Sequence, residues 1–373
     1  MKTINFLLVC VCLTTLSTCG LLNEKSHDGK KPEEPLRLLW SYEYTYPGIS
    51  TVAPAILGNQ YVITAPYTQY VCLNQQSGSL RWQYSNPEGK EANNNVVLYD
   101  STTLYGKEDK GSYYFAVDIK SGKKAWKQKN DAGLFYDYVS DAVDDNHVYL
   151  AGDDSVIYVV SKQGKYQKTI RLQNYARTII ATSSTLYVSE AWKKNKKEYA
   201  EGRIVSYNKK TEQINWSYHT NRGGFYDAVL RLTNGILYSG TTDGPGEFVA
   251  LDAATGQVKW KLEGYWCYRF TLGDGKIFIN DGNYILAVDR QTGKVLWKDY
   301  FQGHTESNLA YVDGYLYHAH SGGLFVWDAQ TGKRVARPIQ PPDGSGFYNL
   351  NAAGSKVFVQ SDFHLYAYRA YGQ

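Results

Sequence analysis

Three times the chain brings an aromatic pair against a short polar side chain: Phe135-Tyr136-Asp137, Phe225-Tyr226-Asp227 and Phe347-Tyr348-Asn349, each a short step after a glycine. Tyr265-Trp266-Cys267-Tyr268-Arg269, Tyr175-Ala176-Arg177 and His304-Thr305-Glu306 have similar chemistry. Aromatic faces beside amide, carboxylate or guanidinium groups suit a sugar, a peptide, an aromatic ligand or a protein partner. His318-Ala319-His320 puts two imidazoles on one face of a strand, a spacing able to hold a metal. No third ligand is evident, so the ordinary reading is two histidines on an exposed strand and no metal is expected. Asp144-Asp145 and Asp153-Asp154 flank one strand and read as turn residues, with calcium a minor alternative.

Other chemistry is thin. The chain has no Gly-x-Ser-x-Gly elbow, no His-Glu-x-x-His and no phosphate loop, so no catalytic residue and no cofactor is assigned. Of five cysteines, Cys10, Cys12 and Cys19 lie at the N-terminus, leaving Cys72 and Cys267 far apart as two expected buried free thiols. Lys and Arg number 40 and Asp and Glu 36, a net charge of +4 that is too weak to argue for nucleic acid. With 20% charged and 43% hydrophobic residues the chain is not disordered, and 34 Tyr with 34 Gly favour strands joined by tight turns.

What must position these residues is a repeat. Val249-Ala-Leu-Asp252 leads to Gly256 and Trp260, and Leu286-Ala-Val-Asp289 to Gly293 and Trp297. Matching sets reach Trp82, Trp126 and Trp216, the last with Glu212 in the glycine place; a degenerate copy has Lys168 in the tryptophan place, and the final copy has Ala336 there. The turn positions are 78, 122, 164, 212, 256, 293 and 332, in steps of 44, 42, 48, 44, 37 and 39 residues. That period fits four-stranded propeller blades. Asp or Asn caps its own turn, glycine supplies a positive φ, and the apolar residues before it alternate as in a half-buried strand. The last repeat, Tyr348–Ala352, Val357–Gln360 and Leu365–Tyr368, lacks an outer strand. Leu38–Tyr44 has the look of that strand, and Trp40 precedes Trp82 by 42 residues, one period. The expected fold is all-β, an eight-bladed β-propeller of four-stranded antiparallel blades closed by its N-terminal strand. Seven blades is the alternative, if the degenerate third copy merges with a neighbour.

The pattern Ala-x-Asp-x-x-Thr-Gly-x-x-x-Trp at Ala250–Trp260 and Ala287–Trp297 resembles the quinoprotein-type (PQQ-like) propeller repeat, over roughly residues 38–370. The resemblance implies that Trp40, Trp82, Trp126, Trp216, Trp260 and Trp297 are structural and pack between blades. It does not imply quinone chemistry. Many alcohol dehydrogenases of that superfamily carry a vicinal cysteine pair and a calcium site, and this chain has no adjacent cysteines. In size and blade number the chain also resembles the propeller lipoproteins of the outer-membrane β-barrel assembly machinery, which implies a scaffold role; their contact loops have no motif to transfer.

The N-terminus points to the cell envelope. Residues 1–18 read as a lipoprotein-type signal peptide, with Leu16-Ser17-Thr18-Cys19 as the cleavage box and Cys19 as the lipidated residue. Residues 19–36 read as a flexible tether and 37–373 as the propeller. Gly20 after the cysteine, by resemblance to enterobacterial lipoproteins, favours the outer membrane.

Four antiparallel strands of fixed direction put the Thr-Gly turns on one rim and the inter-blade connections on the other. The aromatic sets fall on the second rim, as does a long insertion, Glu190-Ala-Trp192 followed by a lysine-rich run to Lys197. The three Phe-Tyr motifs are not in one register. Two readings stay open: aromatics packed between blades, or an open aromatic mouth. The expected function is a non-enzymatic, lipid-anchored envelope scaffold that binds a protein partner, touches the membrane only through its anchor and binds no nucleic acid. The alternatives are a glycan- or small-molecule-binding module and, less favoured, a quinone-dependent enzyme.

Overall fold

The Asp-x-x-Thr-Gly turn sets the geometry. Asp252 Oδ1 accepts from the backbone N–H of Ala254 (3.1 Å) and Thr255 (3.0 Å) and from Thr255 Oγ1 (3.0 Å), and Gly256 N–H closes the turn on the Asp252 carbonyl at 2.8 Å. Gly256 has φ +74°, and a Cβ there would lie 2.6 Å from the Trp216 ring. Conformation and space both demand glycine. The next backbone N–H, of Ala253, is tied at 2.9 Å to the carbonyl of Gly235 in the first-to-second-strand turn of the same blade, so both turns share one rim.

A computed structural model describes residues 36–48, 52–66, 69–85, 97–108, 112–129, 140–152, 155–192, 200–226, 230–301 and 307–373. Among them strands form eight antiparallel sheets. Strand β1 (Leu38–Glu43) belongs to the last. Blade 1 is β2 (Ala55–Leu57), β3 (Tyr61–Thr64), β4 (Gln69–Asn74) and β5 (Leu80–Ser85). Blade 2 is β6 (Leu98–Tyr99), β7 (Thr103–Glu108), β8 (Tyr113–Asp118) and β9 (Lys124–Lys129). Blade 3 is β10 (Ala142–Val143), β11 (His147–Gly152), β12 (Val156–Ser161) and β13 (Tyr166–Arg171). Blade 4 is β14 (Ala176–Ala181), β15 (Thr185–Trp192), β16 (Glu201–Asn208) and β17 (Gln213–Thr220). Blade 5 is β18 (Arg231–Thr233), β19 (Ile236–Gly240), β20 (Glu247–Asp252) and β21 (Val258–Glu263). Blade 6 is β22 (Arg269–Gly273), β23 (Lys276–Asn280), β24 (Tyr284–Asp289) and β25 (Val295–Tyr300). Blade 7 is β26 (Leu309–Val312), β27 (Tyr315–His320) and β28 (Gly323–Asp328). Blade 8 is β29 (Phe347–Ala353), β30 (Lys356–Ser361), β31 (His364–Arg369) and β1. The chain is an eight-bladed β-propeller, and the third copy is a blade of its own.

First strands of neighbouring blades approach one another, β6 to β10, β10 to β14, β22 to β26, β26 to β29 and β29 to β2, which places them at the axis. Third strands depart from the expected alternation: Phe248, Val249, Ala250 and Leu251 on β20 are all fully buried. Blades pack face to face, so an interior strand buries both surfaces, each large side chain contributing about 1.5–3 kcal/mol. Alternation survives in the fourth strands, as in β21.

Each outer tryptophan fastens its blade to the next. The indole N–H donates to the carbonyl just after the next blade's turn Asp, Asn or Ser: Trp40 to Gln75 (3.3 Å), Trp82 to Ile119 (2.6 Å), Trp126 to Lys162 (2.7 Å), Trp216 to Ala253 (3.1 Å), Trp260 to Arg290 (3.1 Å) and Trp297 to Ala329 (3.1 Å). The two departures from the repeat are explained by this contact. Lys168, in the tryptophan place, forms an ion pair with Glu212, which holds φ +59° in the glycine place of the following turn. Ala336 faces a blade with no such turn, because β31 and β1 come from opposite ends of the chain; it packs instead beside Tyr368 and Ala370.

Closure follows the expected route. Strand β1 pairs antiparallel with β31, Trp40 opposite Ala367 and Tyr42 opposite Leu365. Across the seam, Tyr44 Oη lies 3.2 Å from Thr64 Oγ1 and Asn351 Nδ2 donates to the Pro54 carbonyl at 2.9 Å. Blade 7 differs from expectation in its fourth strand. Residues 334–339 reach β28 only through isolated bridges, Trp327 to Arg334 and Leu324 to Ile339. Pro338 has no N–H to extend a ladder there. Cys72 and Cys267 are buried free thiols, as expected.

Candidate functional site

The rim opposite the Thr-Gly turns is built from inter-blade connections and second-to-third-strand loops. Among the described residues four large apolar side chains in loops are exposed, and all four lie on this rim: Tyr46 (50%), Tyr175 (42%), Trp266 (36%) and Phe363 (43%). The loops of the turn rim expose no such side chain among the described residues. Exposed apolar groups gathered on one face mark a contact surface better than the same number scattered.

Two of these aromatics, Trp266 and Phe363, sit on fastened loops. Trp266 Nε1 donates to the Gly244 carbonyl at 2.9 Å, and its ring meets Tyr268 edge-on at 6.3 Å. The Gly244 loop is fixed in turn: Asp243 Oδ1 accepts from Gly224 N–H at 2.6 Å, Oδ2 from Ala200 N–H at 3.2 Å, and Arg222 Nε donates to the Gly246 carbonyl at 3.1 Å. Phe363 rides on a loop locked by Asp343. Although burial alone pushes the Asp343 carboxyl up, donors from Ser345, Ser361 and His364 hold it well below its ordinary value. Asp343 Oδ2 accepts from Ser361 Oγ at 2.6 Å and Tyr366 Oη at 3.0 Å and lies 2.9 Å from His364 Nδ1. Ser361 spends its proton on Asp343 and not on the imidazole, so this cluster is a strap and not a nucleophile–base pair.

The structure separates the expected site residues. Phe225 and Phe347 are fully buried and present no surface to a partner; Phe347 packs edge-on against Tyr366 at 5.8 Å. Tyr226 and Tyr348 are half-buried above them. Burial first, then the charge of Asp362, raises the Tyr348 phenol above its ordinary pKa. Arg177 is buried with its guanidinium 4.8 Å over the Tyr226 ring. Tyr265 and Arg269 are half-buried, with Arg269 Nη1 donating to the Tyr268 carbonyl at 2.7 Å. Asn349 is buried, its Oδ1 3.4 Å from Asn308 N–H. Trp192, half-buried, ends β15 opposite Glu201. Phe135, Tyr136, Asp137, Asp227, His304, Glu306, Cys19, Asp153, Asp154 and the lysine run 193–197 lie outside the described residues. Glu190, at the start of that run, is no surface charge: it is buried in a two-pronged pair with Arg203, at 2.8 and 3.0 Å. Tyr46 and Phe363 were not anticipated, since neither sits in a motif.

The histidine pair is a correction. His318 and His320 share one face of β27, but that face is buried. His318 Nε2 lies 2.8 Å from Ser307 Oγ, and His320 Nδ1 accepts from Gly322 N–H at 2.9 Å. A backbone donor on Nδ1 leaves the proton of His320 on Nε2, so that nitrogen offers no lone pair to a metal. Asp144 is a turn cap as expected, Oδ1 accepting from Asn146 N–H at 2.8 Å and His147 N–H at 2.7 Å.

Comparison with known proteins gives the family. A profile described as outer membrane protein assembly factor BamB matches residues 36–262 and 281–371. The BamB of Yersinia pestis is 26% identical over 166 residues, 43% of this chain and 41% of its own length. The tetrathionate hydrolase of Acidithiobacillus ferrooxidans is 24% identical over 252 residues, 62% of this chain and 49% of its own. The matches thus span less than half the length of either relative. The crystal structure of BamB from Moraxella catarrhalis superimposes with a TM-score of 0.69 at 16% identity, covering 91% of this chain and 99% of that one.

Proposed function

The chain belongs to the family of outer membrane protein assembly factor BamB, and from that membership we propose that it is a non-enzymatic scaffold of the cell envelope. In this reading Cys19 carries a lipid anchor, residues 19–36 are the tether, and the propeller works at the outer membrane. The partner is an envelope protein of the assembly apparatus, and it docks on the rim that carries Tyr46, Tyr175, Trp266 and Phe363.

One observation carries the reading: among the described residues the exposed loop aromatics are gathered on a single rim, with the loops of Trp266 and Phe363 fastened by hydrogen bonds. Rigid, amphipathic aromatics lose little entropy on binding and are the usual anchors of protein interfaces. The absence of an assigned catalytic group rests on the chemistry present. Among the described residues no three His, Cys, Asp or Glu side chains are grouped as metal ligands, and the Ser361–Asp343–His364 contacts are spent on a strap.

The test is capture of the tagged full chain from detergent-solubilised envelopes. Wild type should bring down outer-membrane assembly components. Trp266→Ala with Phe363→Ala should lower recovery about tenfold or more with an unchanged urea midpoint. In the same preparation Cys19→Ser should leave the membrane fraction. Full recovery with the aromatic variant would remove the rim as the docking face.

A further inference from the structure

Each fourth strand begins in one register, opposite the residue that precedes the turn Asp, Asn or Ser of the third strand. In blades 1 to 5 the residue there is Leu80 opposite Leu73, Lys124 opposite Val117, Tyr166 opposite Val160, Ile214 opposite Tyr207 and Val258 opposite Leu251. In blade 8, where the two strands come from opposite ends of the chain, it is Leu38 opposite Tyr368. All six are exposed. Six consecutive blades thus present five large apolar side chains and one lysine at a single level of the outer edge, beside the turn rim. In blades 6 and 7 the register holds Val295 and Arg334, both half-buried, and the series stops.

Lysines accompany this series. The turns of blades 2 to 4 carry Lys120, Lys123, Lys124, Lys165 and Lys210, all exposed. Two more are spent on carboxylates, Lys162 on Asp100 at 2.7 Å and Lys209 on Asp144 at 2.5 Å, and Glu212 is taken by Lys168. Against the five stand Asp118, which caps its own turn, and Asp145. The chain also enters here. The Arg37 carbonyl accepts from Arg369 N–H at 2.8 Å, and the next N–H, of Ala370, is tied to Ser355 in the first-to-second-strand turn. The polypeptide that leads back to Cys19 joins the propeller on the turn rim, opposite the aromatic rim.

We propose that this edge, from Leu38 round to Val258, is a peripheral membrane contact that rests on a lipid surface bearing anionic phosphates. A protein interface is anchored by apolar side chains packed into one central cluster. Here they are set one to a blade with lysines among them. A fluid headgroup layer accepts each apolar side chain separately, while the ammonium groups meet phosphates. The inference rests on the anchored-scaffold reading and adds to the anchor a second contact with the bilayer. It turns the aromatic rim away from the lipid, where a partner can reach it.

The measurement is co-sedimentation with vesicles of phosphatidylcholine, with and without phosphatidylglycerol. All chains are full length and carry Cys19→Ser, so that any binding by the N-terminus is common to them. The parent should bind the anionic vesicles more tightly, and added salt should remove the difference. Lys120→Gln with Lys123→Gln and Lys124→Gln should weaken binding to anionic vesicles about tenfold or more, and Tyr166→Ser with Ile214→Ser about fivefold or more, each with an unchanged urea midpoint. Lys294→Gln with Lys298→Gln, in blade 6, should leave it unchanged. So should Trp266→Ala with Phe363→Ala, which separates failure of this edge from failure of the docking rim. Equal binding to the two kinds of vesicle, full binding by the lysine or the apolar variant, or tighter binding of poly-glutamate than of the anionic vesicles would overturn the contact.

Discussion

His318 is fully buried, and among the described residues it has no charge partner and its Nδ1 no hydrogen-bond partner. Burial, then the neighbouring His320, pushes its pKa well below the ordinary histidine value, and burial with Arg334 lowers that of His320. The unfolded chain therefore binds more protons than the folded one from about pH 6.5 downward, and stability present above that pH is lost on acidification. Each such histidine contributes up to about 1.4 kcal/mol per pH unit in this window. Urea midpoints at pH 7.5 and 5.5 should fall together less in His318→Gln than in wild type, by about 1 kcal/mol in unfolding free energy; parallel curves would show that His318 does not titrate on unfolding. The i, i+2 spacing announced a shared face. Which face it was depended on where blade 6 lies, and no local pattern carries that.

At the scale of the blade, the contact between an outer strand and the next turn is a paired choice. Tryptophan goes with glycine at six junctions, and Lys168 goes with Glu212. An exposed ion pair is worth little by itself, so the gain from the common pairing should be measurable. Lys168→Trp alone brings an indole against a turn residue with a side chain and should cost about 1–3 kcal/mol. Lys168→Trp with Glu212→Gly should be at least as stable as wild type, with a coupling of about 1 kcal/mol or more in a urea double-mutant cycle. Additive single effects would refute the pairing. The turns were legible in the sequence because few residues can make them. The first strands were not: in blade 5 the ladder among the described residues spans Arg231–Thr233, where no turn motif marks it. Strands at the axis vary from two residues in β6 and β10 to seven in β29 and carry little alternation. The rim was legible only as a list of aromatics. Phe225 and Tyr226 are neighbours in sequence, yet one is fully buried and the other half-buried, so exposure depended on tertiary packing.

For the molecule as a whole, the ring is as strong as the seam between blades 8 and 1. Trp40 joins them, its indole on the turn after β4 and its backbone in the ladder with β31. Truncating this half-buried ring in Trp40→Ala should lower the unfolding free energy by about 2–3 kcal/mol. The loss should be global. Amide exchange in β31 and β4 should speed up together, and the urea transition should move without splitting. Faster exchange confined to β1 would mean that the strand is an ornament on a ring already closed. Ala336 stands at the junction of blades 7 and 8, against the blade whose third and fourth strands come from opposite ends of the chain.

A sheet assembled from both ends of a polypeptide has a consequence for biogenesis. Strand β1 is synthesised early and has no partner until β31 is made, so it must wait while the other seven blades take shape. A translation product that stops short keeps two raw borders, open to proteases and to neighbouring chains. Only the finished polypeptide conceals both, so the latch doubles as a certificate of completeness.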